Sequence, residues 1–224
     1  MNDIIAYYDE LSPRYDADRF GNSYGRMVDA EERAILRRWL APHVGGRVID
    51  LGCGSGRFLD LATEGIDPSS GMVSVARAKF PGKTVHHGSL ADLPAGGAPI
   101  AAIFSMHVIM HLPPDEVRSI ISHAARLLPP GGSLIFDAPS ALRRRLTGHR
   151  QEGWHGATAL SPRDVLAMAG EGWRMKRRRG ILALPVHRIP TRLRPAFRAV
   201  DLLIGGSVIK DMASYTIFHL ERAR

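Results

Sequence analysis

The chain has 224 residues, 45% of them hydrophobic and 23% charged, which suits one α/β domain, with or without a small cap, and is unlike a disordered chain. No run of about 18 apolar residues offers a membrane span. The opening MNDIIAYYDE lacks the basic flank and apolar core of a signal peptide, and the single cysteine, Cys53, excludes internal disulfides and cysteine-cluster metal sites.

In chain order, the first strong helical pattern is Asp29–Leu40, with Ile35, Leu36, Trp39 and Leu40 on one face and Asp29 and Glu32 spaced like a capping box. Short strand-like runs follow at Arg47–Leu51, Thr63–Asp67, Lys83–His87, Ile100–Ser105 and Ser133–Ala138. Helical stretches alternate with them. Ser69–Ala78 carries Met72, Val73 and Ala76 on one stripe, and Pro114–Leu128 ends at Pro129-Pro130-Gly131-Gly132. Ser161-Pro162-Arg163-Asp164 opens one more helix, closed by Gly170. Trp173–Leu184 and Ala213–Glu221 read as longer strands. Alternating strands and helices predict a mostly parallel sheet covered on both faces, with ligands at the carboxyl ends of its strands.

The most informative segment is Val48-Ile49-Asp50-Leu51-Gly52-Cys53-Gly54-Ser55-Gly56-Arg57-Phe58. An apolar strand runs into three alternating glycines, where the chain turns tightly and a ligand can touch bare backbone. A structural tight turn would also use such glycines. No Gly-Lys-Ser/Thr ending follows, so a P-loop is excluded, and Arg57 stands where a dinucleotide loop wants its third glycine. The next strand ends Gly65-Ile66-Asp67-Pro68-Ser69, and a carboxylate there can accept both hydroxyls of a ribose or cap the following helix. The gap from Gly56 to Asp67 leaves room for a first helix of only about two turns, Ser55 to Ala62.

Asp-x-Gly-x-Gly-x-Gly at 50–56 resembles the first motif of the class I S-adenosylmethionine (SAM) methyltransferases. His87-Gly88-Ser89-Leu90-Ala91-Asp92-Leu93-Pro94 resembles the Gly-Asp-Ala-x-x-Leu-Pro stretch of their small-molecule branch, and Leu127-Leu128-Pro129-Pro130-Gly131-Gly132 resembles their entry into strand five. The resemblance covers about residues 45–139. It implies a Rossmann-like, doubly wound, seven-stranded α/β sheet and SAM as cofactor. A single domain over 1–224 is expected, with an N-terminal helical lid (1–40), a SAM-binding core (45–139) and a basic C-terminal part carrying an acceptor cap (140–224). On this resemblance Gly52 and Gly54 lie against the methionine and ribose parts of SAM, and Asp50 orients the loop or the cofactor ammonium, often through water. Asp67, beside Pro68, takes the ribose, Met72 packs on the adenine, and Ser89 and Leu90 serve its edge. Ser105 and Met106 end strand four beside the sulfonium. Ser89 replaces the family's aspartate and Pro99-Ile100 replaces its usual Phe-Asp, both departures.

Nucleic-acid amino-methylating enzymes carry an Asn/Asp-Pro-Pro-aromatic motif after strand four, where this chain has Ser105-Met106-His107-Val108. Cys53 is committed to the loop, which removes the cysteine chemistry of cytosine C5 enzymes. What remains is a small-molecule, lipid or glycan acceptor, at oxygen first, then nitrogen or carbon, in specialised or envelope, lipid or glycan metabolism. His111 is the first choice of general base, with His107 second; each could equally be a structural histidine. The Tyr-Asp-rich stretch 7–20 resembles a lid, with Tyr15 and Arg19 as its functional residues and Arg19 or Arg26 meeting the cofactor carboxylate. No metal is expected, the location expected is cytoplasmic, and oligomeric state is not readable.

The net charge of +8 is lopsided: residues 1–139 hold 13 basic and 16 acidic side chains, and residues 140–224 hold 17 basic and 6 acidic. Codon bias explains 26 arginines against 4 lysines, but not the scarcity of acids after residue 140. Arg143-Arg144-Arg145, Arg150, Arg177-Arg178-Arg179, His187-Arg188, Arg192, Arg194 and Arg198 admit three readings: a solvated face, a pocket for an anionic acceptor, or peripheral docking to an anionic membrane or nucleic acid. The region is poor in aromatics (Trp154, Trp173, Phe197, Tyr215 and Phe218 are scattered), which disfavours RNA. An RNA methyltransferase and a SAM-binding partner protein without turnover stand as alternatives.

Overall fold

Strand β1 (Arg47–Leu51) is buried at every residue after its first, as expected of a central parallel strand covered on both faces. It is flanked by β2 (Glu64–Asp67) and β4 (Ile100–Ser105) in a seven-stranded sheet of order β3-β2-β1-β4-β5-β7-β6, with β3 Thr84–His87, β5 Ser133–Pro139, β6 Trp173–Ile181 and β7 Tyr215–Arg222. The first five strands are parallel, and β7 runs antiparallel to both β5 and β6. This computed structural model describes residues 2–94, 96–149, 156–186 and 189–223; Arg150, Trp154, His187 and Arg188 lie outside them.

Period-two alternation divides the core. Ile103 of β4 and Leu134, Phe136 and Ala138 of β5 face α5 (Pro114–Leu127) and α7 (Pro162–Ala169). Ala102, Phe104 and Ile135 face the other side, where α3 (Ser23–Leu40) and α4 (Ser70–Lys79) bring Leu36, Trp39, Val73 and Ala76. The remaining helices are α1 (Asn2–Leu11), α2 (Tyr15–Phe20), α6 (Ala141–Thr147) and α8 (Arg194–Gly206).

Three local expectations change. Helix α3 begins at Ser23, where the Asn22 side chain accepts from Gly25 N at 2.8 Å, so Asp29 and Glu32 sit inside the helix rather than at its start. No helix spans 55–62. The glycine loop runs through turns into one 3-10 turn, Leu59–Leu61, and Ala62 is already extended toward β2. Gly52, Gly54 and Gly56 hold φ of 70°, 55° and 83°, a left-handed path that helical backbone cannot follow. Finally, β6 stops at Ile181. Leu182 turns to φ 58°, and the fully buried Asp201 of α8 accepts the amides of Leu182 and Leu184 at 3.1 and 2.7 Å. The chain leaves the sheet there into α8, within the interruption the sequence predicts between the last two strands.

Candidate active site

The strand order reverses between β1 and β4, and the glycine loop leaves β1 at that switch point. Gly52 admits no side chain, because a Cβ there would lie 2.3 Å from Val108 Cγ2. Gly54 differs: a Cβ there would meet nothing within 4 Å, so its backbone faces open space. Asp67, at the end of β2, accepts from Gly54 N through Oδ2 (2.8 Å) and from Ser69 N through Oδ1 (2.9 Å). One carboxylate thereby ties the loop to the start of α4. Burial raises its pKa, and the two amide bonds oppose that rise.

Three chambers meet over these strand ends. One, of about 130 Å³, is lined by Gly52, Gly54, Asp67, Pro68, Met72 and Met106, with Ile4 and Ile5 of α1 opposite. A narrow one, of about 30 Å³, lies between Asp50, Gly54, Arg57 and Met106. The third, of about 240 Å³, is aromatic, with Phe20, Tyr24 and Tyr215 beside Arg19 and Met110. Tyr15 and His107 line all three, while Tyr8 and His111 line both larger ones. None alone reaches the roughly 300 Å³ at which small-molecule sites usually begin, so a ligand of adenosyl size must span more than one.

The narrow chamber holds two unsatisfied charged groups among the described residues. Asp50 Oδ2 and Arg57 Nη1 are buried without a hydrogen-bond partner. Burial pushes the Asp50 carboxyl well above its ordinary range, and Arg57 only partly opposes this. Arg57 lies 4.0 Å from the ring centroids of both Phe20 and Phe58 and pairs with Glu32. An unpartnered carboxyl oxygen and an unpartnered guanidinium nitrogen lining one chamber fit the ammonium and carboxylate of an amino acid.

Glu32 is fully buried and also bonds His107, Oε1 to Nε2 at 2.7 Å. His107 holds φ 62°, its amide donates to Asp137 Oδ1 at 2.6 Å, and its Nδ1 stands 3.8 Å from Asp137 Oδ2. Burial alone would lower the His107 pKa, but the charges of Glu32 and Asp137 outweigh it and raise the value. Ligand-type atoms of Glu32, His107 and Asp137 lie within 4.8 Å of one another, a spacing a cation could share. Here Arg57 and the imidazole supply the positive charge. His111 is buried, and its Nε2 shares a 3.0 Å hydrogen bond with Tyr8 Oη. Burial raises the Tyr8 pKa far above that of a free phenol, so Tyr8 keeps its proton.

Helices α1 and α2 are moored by carboxylates. Asp9 Oδ1 accepts from Ser69 Oγ (2.7 Å) and Gly71 N (2.8 Å) at the start of α4, and those bonds lower its pKa. Asp16 accepts from Ser55 Oγ at 2.5 Å and pairs with Lys79 at 2.6 Å. Arg19 lines the aromatic chamber and donates to Tyr7 Oη, and Arg26 lies on the far side of α3. Neither reaches the narrow chamber, where Arg57 stands instead. Ser89 gives its amide and hydroxyl to Asp92 Oδ2, and the Leu90 side chain joins the core, so neither lines a chamber. Ser105 Oγ donates to Leu51 O (2.8 Å) and joins β4 to β1. Cys53 is buried, and its thiol is pushed far up. Arg57, Glu32, Tyr8, Tyr24 and Tyr215 are site residues that motif reading did not assign.

Residues 48–132 match the family model of a methyltransferase domain. These residues form a SAM-dependent methyltransferase domain. The chain is 32% identical over 126 residues to a probable S-adenosylmethionine-dependent methyltransferase of Mycolicibacterium smegmatis, covering 50% of this chain and 48% of that relative. It is 31% identical over 140 residues to a trans-aconitate 2-methyltransferase of Methylobacterium nodulans, covering 56% and 53%. The chain thus spans about half the length of these curated relatives. The methyltransferase fold extends over the whole chain. A magnesium protoporphyrin IX methyltransferase from Synechocystis PCC 6803 with bound SAH superposes with a TM-score of 0.64 at 20% identity, covering 99% of both chains.

Proposed function

We propose that this protein transfers the methyl group of SAM to a small-molecule acceptor, at oxygen in preference to nitrogen or carbon. The observation that carries this reading is the shared wall of Tyr8, Tyr15, His107 and His111 between the glycine-loop chamber and the aromatic chamber. Cofactor and acceptor would then meet across four side chains that can orient both. Asp50 and Arg57 would hold the two ends of the methionine part, Asp67 the ribose, and Pro68 and Met72 the adenosyl face. The Asp67 oxygens each spend one lone pair on the protein and keep one for a hydroxyl.

When bound, SAM supplies an electrophilic methyl on a sulfonium. The chain's part is to align the acceptor and take its proton. As the acceptor oxygen gains the methyl, its proton passes to Tyr8 Oη, and the Tyr8 proton passes to His111 Nε2. Tyr8 is unchanged by the exchange and His111 ends protonated. His107, held by Glu32 and Asp137, positions α3 against the sheet, and Arg19 on the wall of the aromatic chamber favours an anionic acceptor there. The relative named for trans-aconitate is consistent with a small acceptor. α1 and α2 form the lid that excludes water, moored through Asp9 and Asp16.

Single-turnover incubation with methyl-labelled SAM, offered a library of carboxylated, phenolic and lipid-linked small molecules beside bulk tRNA and rRNA, tests the reading. Label is expected in a small acceptor. Label in RNA, or none in any acceptor from protein that binds SAM, overturns it.

Gly54→Ala separates ligand space from fold. The added methyl costs about 1–2 kcal/mol of left-handed strain and otherwise stands in the open chamber. Calorimetry should show SAM affinity falling by about tenfold or more, on the usual scale of a lost close contact, while the melting temperature drops only slightly. A stability loss with unchanged SAM affinity would place the cofactor elsewhere.

A further inference from the structure

The outward side of α8 is apolar without interruption. Leu193, Phe197, Val200 and Leu203 recur at helical spacing and are 46%, 40%, 46% and 75% exposed, and Val208 (94%) and Ile209 (49%) continue the stripe beyond the helix end. Among the described residues of this helix, no exposed side chain is charged. The inward side shows that the helix is firmly seated. Asp201 is buried on the amides of Leu182 and Leu184, and a Cβ on Gly205 would lie 2.1 Å from the Gly180 carbonyl oxygen. A contiguous apolar stripe on a well-seated helix marks a contact surface.

Beside the stripe lies a cleft of about 420 Å³ lined by Ser23, Arg26, Met27, Thr191, Arg194 and Arg198. Three guanidiniums and two hydroxyls converge there, and no carboxylate lines the cleft among the described residues. Arg194 donates to Ser23 Oγ and to the Ile189 carbonyl, which fixes it across the cleft. Arg198 Nε is buried and makes no hydrogen bond. Glu31, whose carboxyl feels Arg179 and Arg198, is pushed up to about 7 by burial, with the Asp201 charge adding, so it offsets only part of the arginine charge at neutral pH.

We propose that this face docks on an anionic phospholipid bilayer, with the α8 stripe entering the acyl boundary and Arg26, Arg194 and Arg198 taking lipid phosphates. An apolar stripe rimmed by arginines is the pattern of an interfacial helix. Charge argues against the other occupants. A second copy would bring together two C-terminal halves that each hold 17 basic and 6 acidic residues, and a nucleic acid would leave the apolar stripe uncovered. Docking does not depend on what the aromatic chamber accepts.

Co-sedimentation of the whole chain with vesicles of phosphatidylcholine, alone or with added phosphatidylglycerol, is the test. Binding to the anionic vesicles is expected to be tighter by at least about tenfold and to weaken as salt rises. Leu203→Ser with Val208→Ser should abolish it without lowering the melting temperature, since both side chains are exposed. Arg26→Gln with Arg198→Gln should weaken binding to anionic vesicles alone. Failure to sediment with either vesicle, or equal binding to both, overturns the proposal. So does a dimer in sedimentation velocity that Leu203→Ser disperses. Vesicle binding unaffected by the serine pair, with glycerol phosphate competing equally well, would mark a free-anion site and also overturn it.

Discussion

Asp67→Ala is expected to cost on the order of a hundredfold or more in SAM affinity, because two hydrogen bonds from ligand hydroxyls to a carboxylate are each worth roughly 1.5–3 kcal/mol. The same change frees the amides of Gly54 and Ser69, which lose their partners at 2.8 and 2.9 Å. Stability should therefore fall as well, by about 1–3 kcal/mol for unsatisfied donors that water reaches only in part. Asp67→Asn separates the two effects. Its carbonyl can keep one amide, so its melting temperature should lie between those of the wild type and the alanine variant, while its SAM affinity stays far below wild type. Calorimetric titration of SAM, S-adenosylhomocysteine and NAD against the three proteins reads both effects. The pH dependence has a definite sign. Burial raises the Asp67 pKa, so the carboxylate proposed to take the ribose is protonated at a less acidic pH than an exposed aspartate. SAM affinity should fall as pH drops through that raised value and hold at higher pH. Wild-type affinity in the alanine variant, or tight binding of NAD, would remove the assignment of the whole glycine-loop chamber.

Asp67 was legible because it belongs to a local pattern, an apolar strand ending in an acid just before a helix. The same holds for the glycine loop, the Pro114 helix and the central strands β1, β4 and β5, which are largely apolar runs. What periodicity does not carry is contact between distant segments. Tyr8 and His111 meet across 103 positions, and Glu32 and His107 across 75. Glu32 did leave a trace. It shares the helix face of Ile35, Leu36 and Trp39, and a carboxylate on an apolar face needs a buried partner. Reading it as a cap hid that signal. Arg57 follows the glycine loop directly, but its contacts with Phe20, Phe58 and Glu32 join segments that no local pattern connects. Ser89 shows the converse. The family's aspartate is replaced there, and the serine has turned to Asp92 to form a local cap, a contact three residues away that outweighs the inherited role.

His111→Ala is expected to lower kcat by about a hundredfold to ten-thousandfold, the usual span for a positioned acid–base group, while SAM affinity falls by a far smaller factor, because His111 supplies only part of one wall and the narrow chamber and Asp67 are untouched. Tyr8→Phe should lower kcat by a smaller factor, since His111 could still take the proton through water. The double variant should be little worse than His111→Ala, because the two act on one proton and their effects do not add. His107 provides the contrast. His107→Gln removes the imidazole between the buried carboxyls of Glu32 and Asp137, and among the described residues only Arg57 still pairs with Glu32. Breaking a buried charge pair is costly, so this variant should melt earlier, and its turnover should recover at low temperature where the fold is intact. A catalytic His111 and a positioning His107 thus predict different splits: His111→Ala loses some stability with its buried Tyr8 contact but keeps a low kcat at temperatures where it is folded, whereas the His107 variant recovers kcat there. If His111→Ala turns over normally, the proton leaves by another route and the Tyr8 contact is a lid latch. If His107→Gln keeps its melting temperature but loses kcat, the base is the imidazole held by Glu32, and the methyl acceptor lies on that side of the shared wall.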